Sequence, residues 1–299
     1  MSPRAKKFKP HHITASEADF KGNGGVGRYV LLPGSDGRAK IISERFTEVT
    51  VRKSDRGHNV YLGTIPSRDQ ARRAQEATVA SVDGHAGPVD VAVVASGMGC
   101  PSLDIIVTEC IKLGAARFLR VGTAGSLQPD VIRPPSIILA TGAVRDEGTS
   151  RAYAPIEVPA LASPEWIHAL EKAAANLGLE DEVYEGPIHS KDSLFAREFG
   201  QGPMAEENTR YMERLAALGV LASDMEAAHL FVLGAVHGNP IAPLSDRELR
   251  REGILTGCVL GVIGDHKRFA SKAIAAKAVN QAIDLALEAI RVLAAMEDG

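Results

Sequence analysis

The stretch Phe118-Leu119-Arg120-Val121-Gly122-Thr123-Ala124-Gly125 carries the reading of this chain. An apolar strand pattern runs into it, a glycine-rich turn runs out, and an arginine stands between. Ligands of parallel sheets sit at such carboxyl ends of strands, where glycine lets backbone approach them closely. A guanidinium at the mouth of a buried strand needs an anionic partner. Its fork matches a tetrahedral oxyanion, with backbone N–H and the Thr123 hydroxyl completing the cradle. Arg38, in Leu32-Pro33-Gly34-Ser35-Asp36-Gly37-Arg38, and Arg56, in Asp55-Arg56-Gly57-His58, have similar surroundings. Any one of them alone reads more readily as a structural arginine–carboxylate pair. Three beside glycine read as a phosphate site.

The same alternation extends along the chain. Tyr29-Val30-Leu31-Leu32 is a strand entering a Pro-Gly turn, and 38–46 a helix. Further strands are predicted at 89–95, 116–121, 136–140 and 257–263. Helices are predicted at 103–113, capped by Ser102 and carrying Glu109, then from Pro164 to about 177, at 227–236 and at 272–296. Strands alternating with helices imply an α/β fold with a mostly parallel sheet. Two segments read as loops. The polar stretch 67–84 is taken as an insertion bearing a helix, and 195–214, with Gly200, Gly202 and Pro203 amid charges, as a lid.

Composition narrows the class. The 299 residues, 45% hydrophobic and 24% charged, suffice for one large domain over 11–299 behind a flexible basic tail over 1–10. A net charge of −3 gives no reason to expect nucleic acid or an anionic membrane as partner. Neither a signal-peptide pattern nor a spanning apolar run is found, so a soluble, cytoplasmic protein is expected. Cys100, Cys110 and Cys258 stand apart among apolar neighbours and read as reduced core thiols, and no convincing metal cluster is present.

Five blocks in order resemble the nucleoside phosphorylase family of uridine phosphorylases and hexameric-type purine nucleoside phosphorylases. They are the block ending at Arg38; Gly97-Met98-Gly99-Cys100-Pro101-Ser102; Arg120 to Gly125; Ala143-Val144-Arg145-Asp146-Glu147-Gly148-Thr149-Ser150; and Asp224-Met225-Glu226-Ala227-Ala228. The resemblance implies a single α/β domain around a central, mixed, partly barrelled sheet flanked by helices. It implies a pentosyltransferase that splits the N-glycosidic bond with phosphate as co-substrate and no cofactor or metal, giving free base and (deoxy)ribose 1-phosphate. Gly34, Arg38, Arg120 and Thr123 would hold phosphate, with Arg56 reaching in from a neighbouring subunit. Met225 and Glu226 would hold the ribose, and His12 would come across the dimer interface to the 5′-hydroxyl. Shared sites imply a homodimer or a hexamer built as a trimer of dimers. Asp224 departs from the family's usual glutamate by one methylene.

The base stays open between two readings. Asp265, at the end of the last strand, matches the aspartate that serves purine enzymes as general acid, and burial beside Val262 and Ile263 is expected to raise its pKa. Arg145 to Ala160 and Thr123 look more like uridine enzymes. Arg197 and Gln201 match the uracil clamp only in altered spacing, and Phe195 is taken as a further base contact. The lean is toward purine nucleosides, with uridine phosphorylase as the alternative. A hydrolytic nucleosidase and a non-catalytic nucleoside-binding protein are the readings from other classes; retention of the three arginines disfavours the former. Replacing Arg120 with alanine is expected to abolish phosphate-dependent activity with the fold largely intact.

Overall fold

Strand β1 (Tyr29–Leu32) is buried at all four residues, the unbroken apolar run of a strand covered on both faces. In the computed structural model, which describes residues 8–67, 70, 87–238 and 253–298, β1 lies between β4 (Val89–Val94) and β5 (Arg117–Ser126), both parallel to it. On its other side β5 pairs in parallel with β10 (Leu255–Asp265). The far edge is finished by β3 (Val60–Ile65) and β2 (Thr47–Arg52), both antiparallel. The edge strand β2 is exposed throughout, and its charges at Glu48 and Arg52 guard it against further pairing.

Beyond β10 the sheet curls back. β6 (Ile137–Asp146) joins β10 antiparallel and takes the two-residue β7 (Ala160–Leu161) antiparallel beside it, β8 (Val183–Lys191) joins β6 in parallel, and β9 (Ala222–Asp224) joins β8 in parallel. β9 then pairs with the end of β5, Gly125 opposite Ser223, closing a ring of β5, β10, β6, β8 and β9. Register shifts at Val262/Gly264 and Ala140/Gly142 are bulges that bend long strands into such a closure. The result is the mixed, partly barrelled α/β sheet that the resemblance implied.

Helices begin where local chemistry permits. α1 (Asp36–Ser43) starts two residues before the predicted helix because Ser35 caps it, accepting from the Arg38 N–H, which puts Arg38 in the first turn. α2 (Cys100–Lys112) starts after Gly99 rather than at Ser102, whose hydroxyl instead donates to the Ser96 carbonyl at 2.7 Å. α3 (Pro164–Leu177) has proline in its first turn and ends at left-handed Gly178. The stretch 195–214 is no plain loop. A π-turn spans Leu194–Glu198, and α4 (Ala205–Ala217) opens inside it. α5 (Ala227–His237) and the long α6 (Lys272–Asp298) follow, and β2, β3, β7, β8 and β9 are strands the sequence reading passed over. The predicted 67–84 insertion falls outside the described residues except at Ser67 and Gln70, as does the basic tail through residue 7; Phe8 packs against the core. No helix among the described residues is long and apolar enough to cross a membrane. All three cysteines are buried and unpaired.

The carboxyl ends of the parallel strands meet at one side of the ring, and the opposite side is solid core. There Trp166 of α3 is fully buried in a cluster with Leu119, Val259 and Ile290, and edge-on to Tyr29 with ring centroids 6.2 Å apart. Trp166→Ala is expected to cost about 3–5 kcal/mol, read from the midpoint shift in chemical denaturation. A loss under about 1 kcal/mol would show that this layer collapses around the gap.

Candidate functional site

A cavity of about 330 Å³ opens at those strand ends. Gly34, Arg38, Arg120, Thr123, Met225 and Glu226 all line it, so the structure brings together most of the residues singled out in the sequence. Arg120 leaves β5 at 4% exposure, with its Nε 2.9 Å from Asp224 Oδ2 and its Nη2 bonded to Glu226 Oε2. Burial works against its charge, but the carboxylates of Glu226 and Asp224 more than restore it, so its pKa lies above the ordinary arginine value. The structural pairing and a place in the cavity lining therefore coexist in one side chain, and its Nη1 has no hydrogen-bond partner among the described residues.

Arg38 stands differently. Burial and the nearby charge of Arg120 both push its pKa below the ordinary value, and its guanidinium has no hydrogen-bond partner among the described residues. Two guanidiniums that repel each other across a cavity are relieved by an anion between them. Thr123 and Gly125, two apart on β5 and both half-buried, face the same space.

Glu226 sits at the start of α5, 4% exposed. Its Oε1 accepts the Gly99 N–H at 2.6 Å, which the loop can offer because Gly99 takes a positive φ of 83°. Burial raises its pKa, with Arg120 pulling the other way. Each carboxylate oxygen keeps a second lone pair, and Met225 lines the cavity beside it. Asp224 accepts from Arg120, from the Ser190 hydroxyl at 2.5 Å and from the Ala227 N–H at 3.0 Å. The shorter side chain thus caps α5 while bridging to β5.

His12 and Arg56 lie outside this cavity's lining but near each other. Ser54 donates its hydroxyl to the His12 carbonyl at 2.6 Å and accepts the Arg56 N–H at 3.2 Å. Arg56 is exposed, and its guanidinium has no partner among the described residues. Glu109 of α2 anchors the segment by accepting from the backbone N–H groups of His11, His12 and Ile13 and pairing with His12 Nδ1 at 2.9 Å.

Asp265 departs from expectation. It lines a separate cleft with Arg133 and Lys267, and its Oδ1 accepts the Lys267 and Arg268 N–H groups at 2.7 and 3.0 Å. Burial is the largest single influence and raises its pKa, but these bonds and the nearby His266 and Arg268 charges together outweigh it and hold the carboxyl below the usual aspartate range, opposite to the predicted rise. Phe195 is 63% exposed and also outside the lining, which takes Leu194, Glu198 and Phe269 instead. Arg197 is engaged by Asp146 at 2.7 Å and stacks on Tyr211. The sequence reading missed Lys191, Glu198 and Ser223, which also line the cavity. None neighbours a glycine–arginine block, and the only local signal was the placement of Glu198 in the predicted lid.

Residues 28–245 match the Phosphorylase superfamily. A uridine phosphorylase of Treponema pallidum is 33% identical over 286 residues, covering 95% of this chain and 93% of the relative. A guanosine phosphorylase of Halorubrum lacusprofundi is 28% identical over 86% of this chain and 84% of its own length. A DeoD-type purine nucleoside phosphorylase of Exiguobacterium sibiricum is 29% identical over 76% and 80%.

The Glu109 anchor responds to pH with a definite sign. Burial raises its pKa, but the His11, His12 and Ile13 bonds outweigh burial and leave it below the usual glutamate range. A folded value below the unfolded one stabilises above the unfolded pKa and loses that contribution as pH falls through the folded value. The His12 and Ile13 amides should therefore resist hydrogen exchange at neutral pH and lose protection below the ordinary carboxylate range, after correction for intrinsic exchange. Glu109→Gln should lose much of it already at pH 7; unchanged protection would show that the segment is held by other contacts.

Proposed function

The chain belongs to the Phosphorylase superfamily, and from that premise and the shape of the cavity we propose that it is a nucleoside phosphorylase. It transfers the pentosyl group of a nucleoside to inorganic phosphate, releasing the free base and (deoxy)ribose 1-phosphate. The observation that carries this reading is the unpartnered Arg38 guanidinium facing Arg120, with the Glu226 carboxylate next to both.

In this reading Arg38, Arg120, Thr123 and the loop at Gly34 hold phosphate. Placing it against the sugar removes much of the entropic barrier to a two-substrate reaction. Glu226 accepts hydrogen bonds from the vicinal 2′- and 3′-hydroxyls through its remaining lone pairs, and Met225 offers a soft apolar surface to the ring. As the C1′–N bond breaks, the sugar gains oxocarbenium character, phosphate attacks from the opposite face, and negative charge leaves with the base. His12 and Arg56 complete the site of a neighbouring subunit. Their joint position around Ser54, outside their own chain's cavity, supports this and calls for at least a dimer. The purine lean rested on a protonated Asp265, and the hydrogen bonds that keep its carboxylate ionised withdraw that support.

The test is base release from inosine, adenosine and uridine, each with and without phosphate. Phosphate-dependent release supports phosphorolysis, release that ignores phosphate points to hydrolysis, and no release leaves a binding protein. Arg38→Ala should lower kcat/KM for phosphate by roughly 100- to 1,000-fold while leaving the denaturation midpoint unchanged. Normal phosphate kinetics in that variant would remove Arg38 from the site. Arg120→Ala is the poorer probe, contrary to expectation. It leaves Asp224 and Glu226 buried without their cation, a loss of about 3–5 kcal/mol of stability.

A further inference from the structure

Lys191, the last residue of β8, lines the cavity yet has no donor to spare for a ligand. It is 2% exposed, and its ammonium reaches Glu198 Oε2 at 2.5 Å, Ser223 Oγ at 2.7 Å and the Asp224 carbonyl at 3.1 Å, which accounts for all three N–H groups. Ser223 Oγ is held in turn by His189 Nδ1 at 3.0 Å, and His189 Nε2 by Asp146 Oδ2 at 2.9 Å. The set is satisfied when His189 donates to Asp146 and accepts the Ser223 O–H, which leaves the serine oxygen to Lys191. Arg197 closes the outer end on Asp146. A satisfied buried chain of this kind is rigid, and its inner end is a backbone carbonyl.

That carbonyl belongs to the peptide group leading into Met225. The next peptide group, between Met225 and Glu226, is held from α2, where the Cys100 thiol donates to the Met225 carbonyl at 3.3 Å. Two fixed peptide planes set where the Glu226 side chain departs, and Arg120 and the Gly99 N–H set where it ends. The charged groups around its carboxylate are Arg120 of β5, Arg38 of α1 and Lys191 of β8, opposed by Asp224 of β9. Cys100 of α2 and Cys258 of β10 also face it, their thiols kept protonated by burial. Burial and Asp224 raise the pKa of Glu226, while Arg120, the Gly99 N–H and Lys191 lower it.

Resting on the phosphorolysis reading and on Glu226 as acceptor for the sugar, we propose that Lys191 is a positioning residue: through the Asp224 peptide it fixes the direction in which Glu226 meets the vicinal hydroxyls. It does so without touching substrate. Its charge serves the same end, because an ionised Glu226 accepts from both hydroxyls, whereas a protonated one gives up part of that capacity. Misplacing such a group by about 1 Å costs on the order of 100-fold in rate, so a residue that only holds it leaves a kinetic trace.

The experiment compares Lys191→Met/Glu198→Gln with Glu198→Gln alone, so that no carboxylate is left buried without its cation. kcat/KM is measured at saturating phosphate for uridine and inosine and for their 2′,3′-dideoxy counterparts, which offer Glu226 no hydroxyl. Removing Lys191 should cost the ribosides roughly 10- to 100-fold and the dideoxy forms no more than about twofold. The acid limb of the riboside pH profile should also move to higher pH, since a carboxylate that loses a neighbouring cation holds its proton longer. A merely structural role moves neither the limb nor the ratio between sugars. Equal losses on both sugars, or unchanged riboside kinetics, overturn the proposal and leave phosphorolysis standing. Absence of phosphate-dependent release from every nucleoside by the unaltered protein overturns phosphorolysis and this proposal with it. Where the double variant fails to fold, Ser223→Ala removes one of the three ammonium acceptors and keeps the charge. It should show the same dependence on the hydroxyls at smaller size, and a loss shared equally by both sugars overturns the proposal there too.

Discussion

The guanidinium of Arg120, sealed between the carboxylates of Asp224 and Glu226, is the interaction on which the cavity depends. Buried charges persist only as a compensated set, since removing one member leaves the others without a partner in low dielectric. Each member also ties a different segment. Arg120 belongs to β5, Asp224 closes β9 and caps α5, and Glu226 takes the Gly99 N–H at the head of α2. One ionic cluster therefore holds four pieces of chain around the cavity, where the ring closes between β5 and β9.

Structure and chemistry divide unequally between the two cavity arginines. Arg120 is pinned by the protein and keeps its Nη1 without a partner among the described residues, so it presents a fixed direction. Arg38 is held mainly by its helix, and its charge is opposed by burial and by Arg120. In the phosphorolysis reading the first orients the anion and the second gains most from it. Such an arrangement is preorganised before substrate arrives, which is where electrostatic catalysis draws its strength.

The cavity carries a second buried pair, Lys191 and Glu198, backed by Ser223, His189 and Asp146. Both pairs sit where β8 and β9 come alongside β5, so closing the ring brings them to one cavity, which the loops at Gly34 and Met98 complete. His12 and Arg56 stand apart from it, brought together by Ser54, and the Glu109 anchor keeps that outlying group at a defined place on the surface.

Much was legible along the chain, for identifiable reasons. β1 and α3 carry their own boundaries, an unbroken apolar run before Pro-Gly in one and a proline start with a glycine stop in the other. Arg38, Arg120, Thr123, Met225 and Glu226 stood out because glycine turns and charge in apolar surroundings are local signals. β8 did not, since His189, Ser190 and Lys191 are polar residues buried only by ring closure. Asp265 misled because its apolar neighbours suggested burial, whereas the bulge beside it leaves the carboxylate facing the Lys267 and Arg268 N–H groups. The one-dimensional pattern established the α/β class, the main strands and helices, and drew attention to the cavity-lining Arg38 and Arg120, because these follow from periodicity and turn chemistry within a few residues. Which carboxylate neutralises Arg120, where Glu198 points and how Asp265 titrates depend on contacts spanning tens of residues, and those exist only once β9 has closed onto β5.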